Sequence, residues 1–305
     1  MNIVFMGTPD FAATSLSALI EAGYNVSAVF TQPDKPVGRH RVLTAPPVKE
    51  LAIKHNIEVY QPETLRDGKA EEKLRELAPD LIAVVAYGKL IPEEILNIPP
   101  LGCINVHGSL LPALRGAAPI QWSVINGEKY AGVTTMYMDK GLDTGDIILS
   151  EKTEIKEGET SSELYERLAP MGAKLLIKTV ELLSEGRAQR TPQDEAAATY
   201  APMLNKDMAL LDFEKSAKEL CSLICGLNPW PVAYTTLDGK RLKVFRAITA
   251  KGMGEAGSLL DEKRFIVACK DGAVEFLEVQ LEGSKMQNAQ EFMRGKRLPL
   301  GTKLK

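Results

Sequence analysis

Along the first half of the chain, apolar residues gather in short unbroken runs. These are Asn2–Met6 (NIVFM), Val26–Phe30 (VSAVF), Ile57–Tyr60 (IEVY), Leu81–Tyr87 (LIAVVAY) and Cys103–His107 (CINVH). Between them the spacing turns helical, up to about Glu21 and near 47–55, 69–78 and 92–97. A strand buried on both faces reads as a continuous apolar run, because no position faces water. Strand alternating with helix therefore predicts a doubly wound, mostly parallel, Rossmann-like α/β sheet. Gly23 sits where a helix C-cap is needed. A helix near 118–126, closed by Gly127, precedes two further runs at 133–139 and 146–155, and the short glycine-rich turn between them predicts an antiparallel hairpin. Thr160–Glu163 (TSSE) has the form of a capping box and opens helical segments reaching about Leu183, with a kink or restart expected at Pro170.

The pattern changes near residue 187. Residues 187–206 are polar and small and lose periodicity, which reads as a linker. A helix is expected over about 214–226, then short alternating runs at 232–237, 240–247, 256–260, 264–269 and 273–280. Asp238-Gly239 and Asp271-Gly272 are hairpin-turn signals among them. Five short strands suggest a small, open β-barrel of the oligonucleotide-binding type. The expected organisation is an α/β domain over 1–189, a linker over 190–206 and a β-barrel domain over 207–305.

Composition narrows the class without changing the architecture. Of 305 residues, 45% are hydrophobic and 25% charged, the balance of an ordinary soluble protein. No run approaches the roughly 20 apolar residues of a membrane span. The N-terminus enters a strand pattern directly, without a basic segment or small-residue cleavage site, so no signal peptide is expected. Cys103, Cys221, Cys225 and Cys269 are scattered, and no Cys or His pair completes a zinc set around Cys221 and Cys225. Buried free thiols, a reducing cytoplasmic compartment and no metal are expected. Nothing marks an obligate interface, so a monomer is expected. Charge is uneven: residues 207–305 carry 16 Lys and Arg against 13 Asp and Glu, and the remainder 21 against 27. A mildly basic C-terminal third can help hold a polyanion.

Candidate chemistry lies where strands end, because ligands of α/β sheets bind there. Gly7-Thr8-Pro9 follows the first strand, but neither G-x-G-x-x-G nor a Walker lysine is present, which argues against a nicotinamide cofactor or a nucleoside triphosphate. Residues 31–45 are too long for an ordinary strand-to-helix connection and carry Lys35, Arg39, His40 and Arg41, as a mobile arm touching phosphates would. Asn105 and His107 are two apart in a strand and so face one volume. Asp143, between Gly141 and Gly145, reaches the same volume if the strand 133–139 runs parallel to 103–107. An amide, an imidazole and a carboxylate suit acyl transfer to an amine: the first two donate to a developing oxyanion, and the third orients the imidazole and moves protons. No Ser or Cys nucleophile is required. Cys103 is expected on the face opposite His107.

The run NVHGSLLPALRGAAPIQ, with GLDTGD downstream, resembles the family of folate-dependent formyltransferases, whose shared pattern is Asn-x-His, then Ser-Leu-Leu-Pro, then a distal Asp. GTPDFA, QPDKPVGR, VVAYGKLIP and NPWP resemble the branch of that family acting on methionyl initiator tRNA. The resemblance spans nearly the whole chain. It implies 10-formyltetrahydrofolate as formyl donor, the tRNA's α-amine as acceptor, and Asn105, His107 and Asp143 as catalytic residues. It further implies a folate pocket formed by Ser109, Leu110, Leu111 and Pro112, by Tyr87, Gly88, Lys89 and Ile91, and by the backbone of Met138, Asp139 and Lys140. Residues 31–45 correspond to the family's tRNA-binding insertion, with Lys35, Arg39, His40 and Arg41 as contacts, and 207–305 to its tRNA-binding domain. Two readings stay open: a formyltransferase acting on a small amine such as an amino-sugar nucleotide, which has no need of the basic loop, and a non-catalytic nucleic-acid-binding protein.

Overall fold

Each apolar run of the first half forms a strand. The structure is a computed structural model and describes residues 1–38 and 41–305. The chain divides into two compact units, neither continuous in sequence: residues 1–116, 132–152 and 165–200 form the first, and 117–131, 153–164 and 201–305 the second.

The first unit begins with β1 (Asn2–Gly7), α1 (Asp10–Glu21), β2 (Asn25–Phe30), β3 (Lys35–Val37), β4 (Val42–Thr44), α2 (Pro47–Lys54), β5 (Glu58–Tyr60), α3 (Lys69–Leu77), β6 (Leu81–Val85), α4 (Glu93–Leu96), β7 (Cys103–His107) and the short β8 (Arg115–Gly116). The chain leaves this unit for α5 (Pro119–Ile125) and returns as β9 (Tyr130–Tyr137), β10 (Ile147–Glu154), most of α6 (Ser161–Ser184) and the segment leading to β11 (Tyr200–Ala201). The sheet has seven strands in the order β10-β9-β7-β6-β1-β2-β5. β1 pairs in parallel with β2 and β6, β2 with β5, and β6 with β7. Strand order reverses at β1, so a crevice opens beyond the C-terminal ends of β1 and β6.

One face of the sheet carries Val4, Met6, Ile82, Val84 and Cys103 under Leu74 of α3 and Ile95 of α4. The other packs on α1 and α6, where Phe11 meets Tyr165 edge-on at 5.4 Å and the Thr135 and Thr179 hydroxyls lie 2.7 Å apart. α6 runs through Pro170 as one element instead of restarting there.

The direction of β9 corrects the sequence reading. β9 is antiparallel to β7, with His107 opposite Thr134 and Ile104 opposite Tyr137. Buried parallel and antiparallel strands have the same apolar content, so the pattern carries no direction. The end of β9 thus lies at the start of β7, away from His107. Asp143 arrives because the following loop folds back: the Tyr137 amide donates to the Asp146 carbonyl at 2.9 Å, and Gly145 lies so close to β9 that a Cβ there would sit 1.9 Å from the Tyr137 carbonyl oxygen. Residues 31–45 also differ from a structureless loop. β3 and β4 pair as an antiparallel hairpin from Lys35 opposite Thr44, with its base held by Lys49 and Asp34 at 2.8 Å.

The second unit contains α5, α7 (Ala217–Gly226), β12 (Ala233–Leu237), β13 (Lys240–Ala250), β14 (Ile266–Cys269), β15 (Gly272–Leu281), β16 (Gln287–Asn288) and α8 (Ala289–Lys296). The expected capping box is present, with the Thr160 amide donating to Glu163 at 2.9 Å. The strands form a five-stranded sheet in the order β12-β13-β15-β14, with β16 also on β15, over a core where Phe265 stacks on Phe292. The strand expected at 256–260 forms only isolated bridges at Ser258 and Leu259, because the chain turns at Gly257 with φ +78°. The fifth strand is β16.

A Gly145→Ala substitution forces the Cβ against backbone, so it should cost about 1–3 kcal/mol of stability. Urea unfolding checks this; an unchanged midpoint contradicts the close approach.

Candidate active site

β7 delivers Asn105 and His107 to one face, at and near the strand's C-terminal end. Asn105 is half-buried, lies between Val84 of β6 and Met136 of β9, and among the described residues its amide makes no hydrogen bond. His107 is 5% exposed. Its Nε2 lies 2.9 Å from the Leu114 carbonyl, and its Nδ1 lies 3.6 Å from Asp143 Oδ2. A carbonyl only accepts, so Nε2 carries the hydrogen and Nδ1 faces the carboxylate. Asp143 is held at φ +56°, and its Oδ2 accepts the Gly116 amide at 2.8 Å. The expected orienting role for Asp143 is therefore filled by a backbone carbonyl, while Asp143 faces the nitrogen left over.

The contacts that set this pair come from residues the sequence reading did not single out. Leu114 has φ +60°, and its amide donates to Thr199 Oγ1 at 2.9 Å. Arg115 is fully buried and bonds Gln193 and Glu195. Gln193, Glu195 and Thr199 lie in the stretch read as a linker. Their polar, aperiodic sequence is what a linker and a bonded strap share. The only signal was an arginine set among small and apolar residues in LRGAAP.

Cys103 has the parity of Asn105 and His107 and shares their face, contrary to expectation. Its thiol is removed from chemistry by burial beneath α4, with the Leu96 carbonyl 3.8 Å from Sγ, and burial pushes its pKa up to about 12. Cys221, Cys225 and Cys269 are likewise free and buried.

The residues expected around folate fall in three places. Ser109 is buried, its hydroxyl donating to the Ala113 carbonyl at 2.6 Å. Leu111 is buried, its amide held by Thr134 at 3.2 Å, while Leu110 and Pro112 are half-buried. Tyr87 borders the crevice, its carbonyl accepting from Thr8 and Gln32, each at 3.1 Å. Its buried hydroxyl has no partner, and burial pushes that group up to about 12. Gly88 is exposed and Ile91 buried, and Leu90 between them is 68% exposed. Lys89 is tied to the Pro62 and Glu63 carbonyls, and burial lowers its pKa. Met138, Asp139 and Lys140 line a different feature, an open groove of about 770 Å³ near the start of β7 that neither His107 nor Asp143 lines. The Asp139 carboxylate caps its own turn, accepting from Gly141 and Thr144. Of the residues expected on tRNA, Lys35 and Arg41 are exposed on the β3–β4 hairpin, Arg41 with φ +50°, whereas Arg39 and His40 lie outside the described residues.

Comparison with known proteins gives the family. Residues 1–180 match the formyl transferase family model and 203–297 that of the formyl transferase C-terminal domain. The chain belongs to the formyl transferase family. It is 47% identical over 311 residues to the methionyl-tRNA formyltransferase of Ruminiclostridium cellulolyticum, and 49% identical over 313 residues to that of Lachnospira eligens, covering 100% of this chain and 99% of each relative. Among solved structures, an N-formyltransferase from Helicobacter canadensis, described in complex with folinic acid and dTDP-3-aminofucose, has a TM-score of 0.71 at 18% identity over 90% of this chain and 98% of its own. HypX from Aquifex aeolicus in complex with tetrahydrofolic acid has a TM-score of 0.62 at 18% identity; 95% of this chain covers 46% of that longer protein. These distant structures speak to the fold. Among the described residues, no cluster of His, Cys, Asp and Glu could hold a metal, and no helix is long and apolar enough to cross a membrane.

Ring-nitrogen NMR of neutral His107 should report the Nε2–H tautomer; a dominant Nδ1–H tautomer contradicts the Leu114 contact.

Proposed function

We propose that this formyl transferase moves the formyl group of 10-formyltetrahydrofolate to the α-amine of methionyl initiator tRNA, for the start of protein synthesis. The observation that carries the chemistry is the unpartnered Asn105 amide two residues from a histidine whose Nδ1 faces Asp143. The choice of acceptor is supported by the full-length relatives that carry this name.

The folate fits the loops beyond β1, β6 and β7. The unpartnered Asn105 amide offers a polar group there, and exposed Leu90 offers an apolar surface for a flat ring. Tyr87, Gly88, Lys89 and Ile91 with Ser109, Leu110, Leu111 and Pro112 would hold it; Met138, Asp139 and Lys140, which line the separate groove near the start of β7, are left out of this pocket. When bound, it supplies an activated formyl carbon on a nitrogen leaving group.

Asn105 then donates to the formyl oxygen as that oxygen gains negative charge. One such donor is typically worth roughly 3–4 kcal/mol, or about 10²–10³ in kcat. His107, with Nε2–H held by Leu114, has only Nδ1 available to gain or release a proton. Asp143 faces that nitrogen and relays the proton lost by the attacking amine toward the departing nitrogen. The new amide bond forms as the carbon–nitrogen bond to the donor breaks, and the proton count closes without an enzyme nucleophile.

tRNA is held elsewhere, through phosphates. Lys35 and Arg41 on the hairpin, Arg39 and His40 between them in sequence, and the basic residues of 207–305 form the contacts in this reading. The catalytic machinery in this reading belongs to the first unit, which runs on to residue 200 and takes in most of the stretch expected to be a linker.

The test is formyl transfer to charged initiator tRNA, with charged elongator tRNA as control. Initiator tRNA should be formylated and elongator tRNA poorly. His107→Ala should lose at least about 10² in kcat. Arg39→Ala with Arg41→Ala should raise KM for tRNA and leave folate binding intact. Failure of the wild type to formylate initiator tRNA, or near-full activity of His107→Ala, overturns the assignment.

A further inference from the structure

We infer that Gln193, locked by the buried Arg115, is a positioning residue that sets Asp143 against His107. This rests on the reaction proposed above and adds a residue to it.

Asp143 sits in a strained conformation. A non-glycine residue at φ +56° persists only where its surroundings over-determine it. One hold is on its side chain, the Gly116 amide at 2.8 Å. The other is on its backbone. The Gln193 Nε2 group donates to the carbonyls of Asp143 and Gly145, each at 2.8 Å, and so grips the loop on both sides of Thr144. An amide can do this only if its oxygen is fixed as well. Gln193 Oε1 accepts from Arg115 Nε at 3.0 Å and from the guanidinium's far nitrogen at 2.8 Å. The remaining edge of the guanidinium meets Glu195 through two bonds of 3.0 and 2.8 Å.

Chemistry dictates the order of this relay. Arginine only donates, so it meets Gln193 at the amide oxygen and leaves the amide N–H groups for the two carbonyls. A glutamine between them converts donors on one side into donors on the other, displaced across a side chain. Arg115 is wholly buried, so its planar fork is fixed in place. Its neighbours act on the same two catalytic side chains: the Leu114 carbonyl takes His107 Nε2–H, and the Gly116 amide takes the Asp143 carboxylate. Three consecutive residues thus register imidazole and carboxylate against each other, and Gln193 carries Arg115's part of that work. The relay touches no part of the pocket proposed for substrate, so its loss should appear in turnover and not in binding.

Arg115→Ala leaves a cavity and is a poor test. Gln193→Glu keeps the acceptor for Arg115 and replaces the donor to the loop by an oxygen that repels both carbonyls. Expected is a fall in kcat of about 10–100-fold, since misplacement by about 1 Å can cost 10², with KM for tRNA and formyl donor within about threefold. Asp143→Asn combined with Gln193→Glu should be no slower than Asp143→Asn alone, because Gln193 acts through Asp143. A purely structural role would add the two losses. A second readout needs no substrate: with only 3 histidines in the chain, His107 ring-nitrogen resonances should shift in Gln193→Glu in the same sense as in Asp143→Asn. An unaltered kcat, additive losses or wild-type-like resonances overturn the inference. An inactive wild type instead overturns the proposed reaction, and the resonances still decide the role of Gln193.

Discussion

The bond from His107 Nε2 to the Leu114 carbonyl fixes what the site can do. It holds the ring in one tautomer and turns Nδ1 toward Asp143, at 2.9 and 3.6 Å respectively. Leu114 meets this need only in a left-handed conformation that costs of order 1–3 kcal/mol. The bond from its amide to Thr199 and its burial hold it there. The segment from Leu114 to Gly116 is therefore the rigid piece of the site, and the strand-end histidine and the folded-back loop are registered on it.

The same packing bears on the kind of transfer proposed. The two nucleophile candidates on and just after β7 are engaged or sealed. The Cys103 thiol lies under α4 with its pKa raised by burial, and the Ser109 hydroxyl is held by the Ala113 carbonyl. Groups that donate hydrogen bonds or carry a proton remain. A site so furnished orients two substrates and leaves the bond-making to them. That division demands long-range anchoring of a large acceptor. In the proposed reading the hairpin beyond β2 is one anchor; its base is stiff, with Lys49, Asp34 and Gln61 bonding one another and Gln61 reaching the Gln32 carbonyl.

Much of this was legible in the residues. β7 was read as 103–107 and forms there, because a both-faces-buried strand leaves an unbroken apolar run that few other structures explain. Parity placed Asn105 and His107 together for the same reason. Direction was not legible. β9 reverses against β7, and alternation is blind to that; Asp143 reaches His107 through the return of a loop instead of the alignment of strands. Parity, misapplied to Cys103, gave the wrong face, and burial supplied the right conclusion. The bonds of Gln193 and Thr199 were invisible because a polar stretch without period looks the same whether it drifts or is strapped down. The strand read at 256–260 failed at the one glycine whose backbone turns the chain, and Gln287–Asn288 was too short to show any alternation.

What unites these observations is the direct passage proposed for the formyl group, between two bound substrates at the end of β7. Initial-rate kinetics with both substrates varied tests this most plainly. Double-reciprocal plots should intersect, as a ternary complex requires, and enzyme incubated with labelled formyl donor alone should retain no covalent label. Parallel lines with a formylated protein would contradict the account.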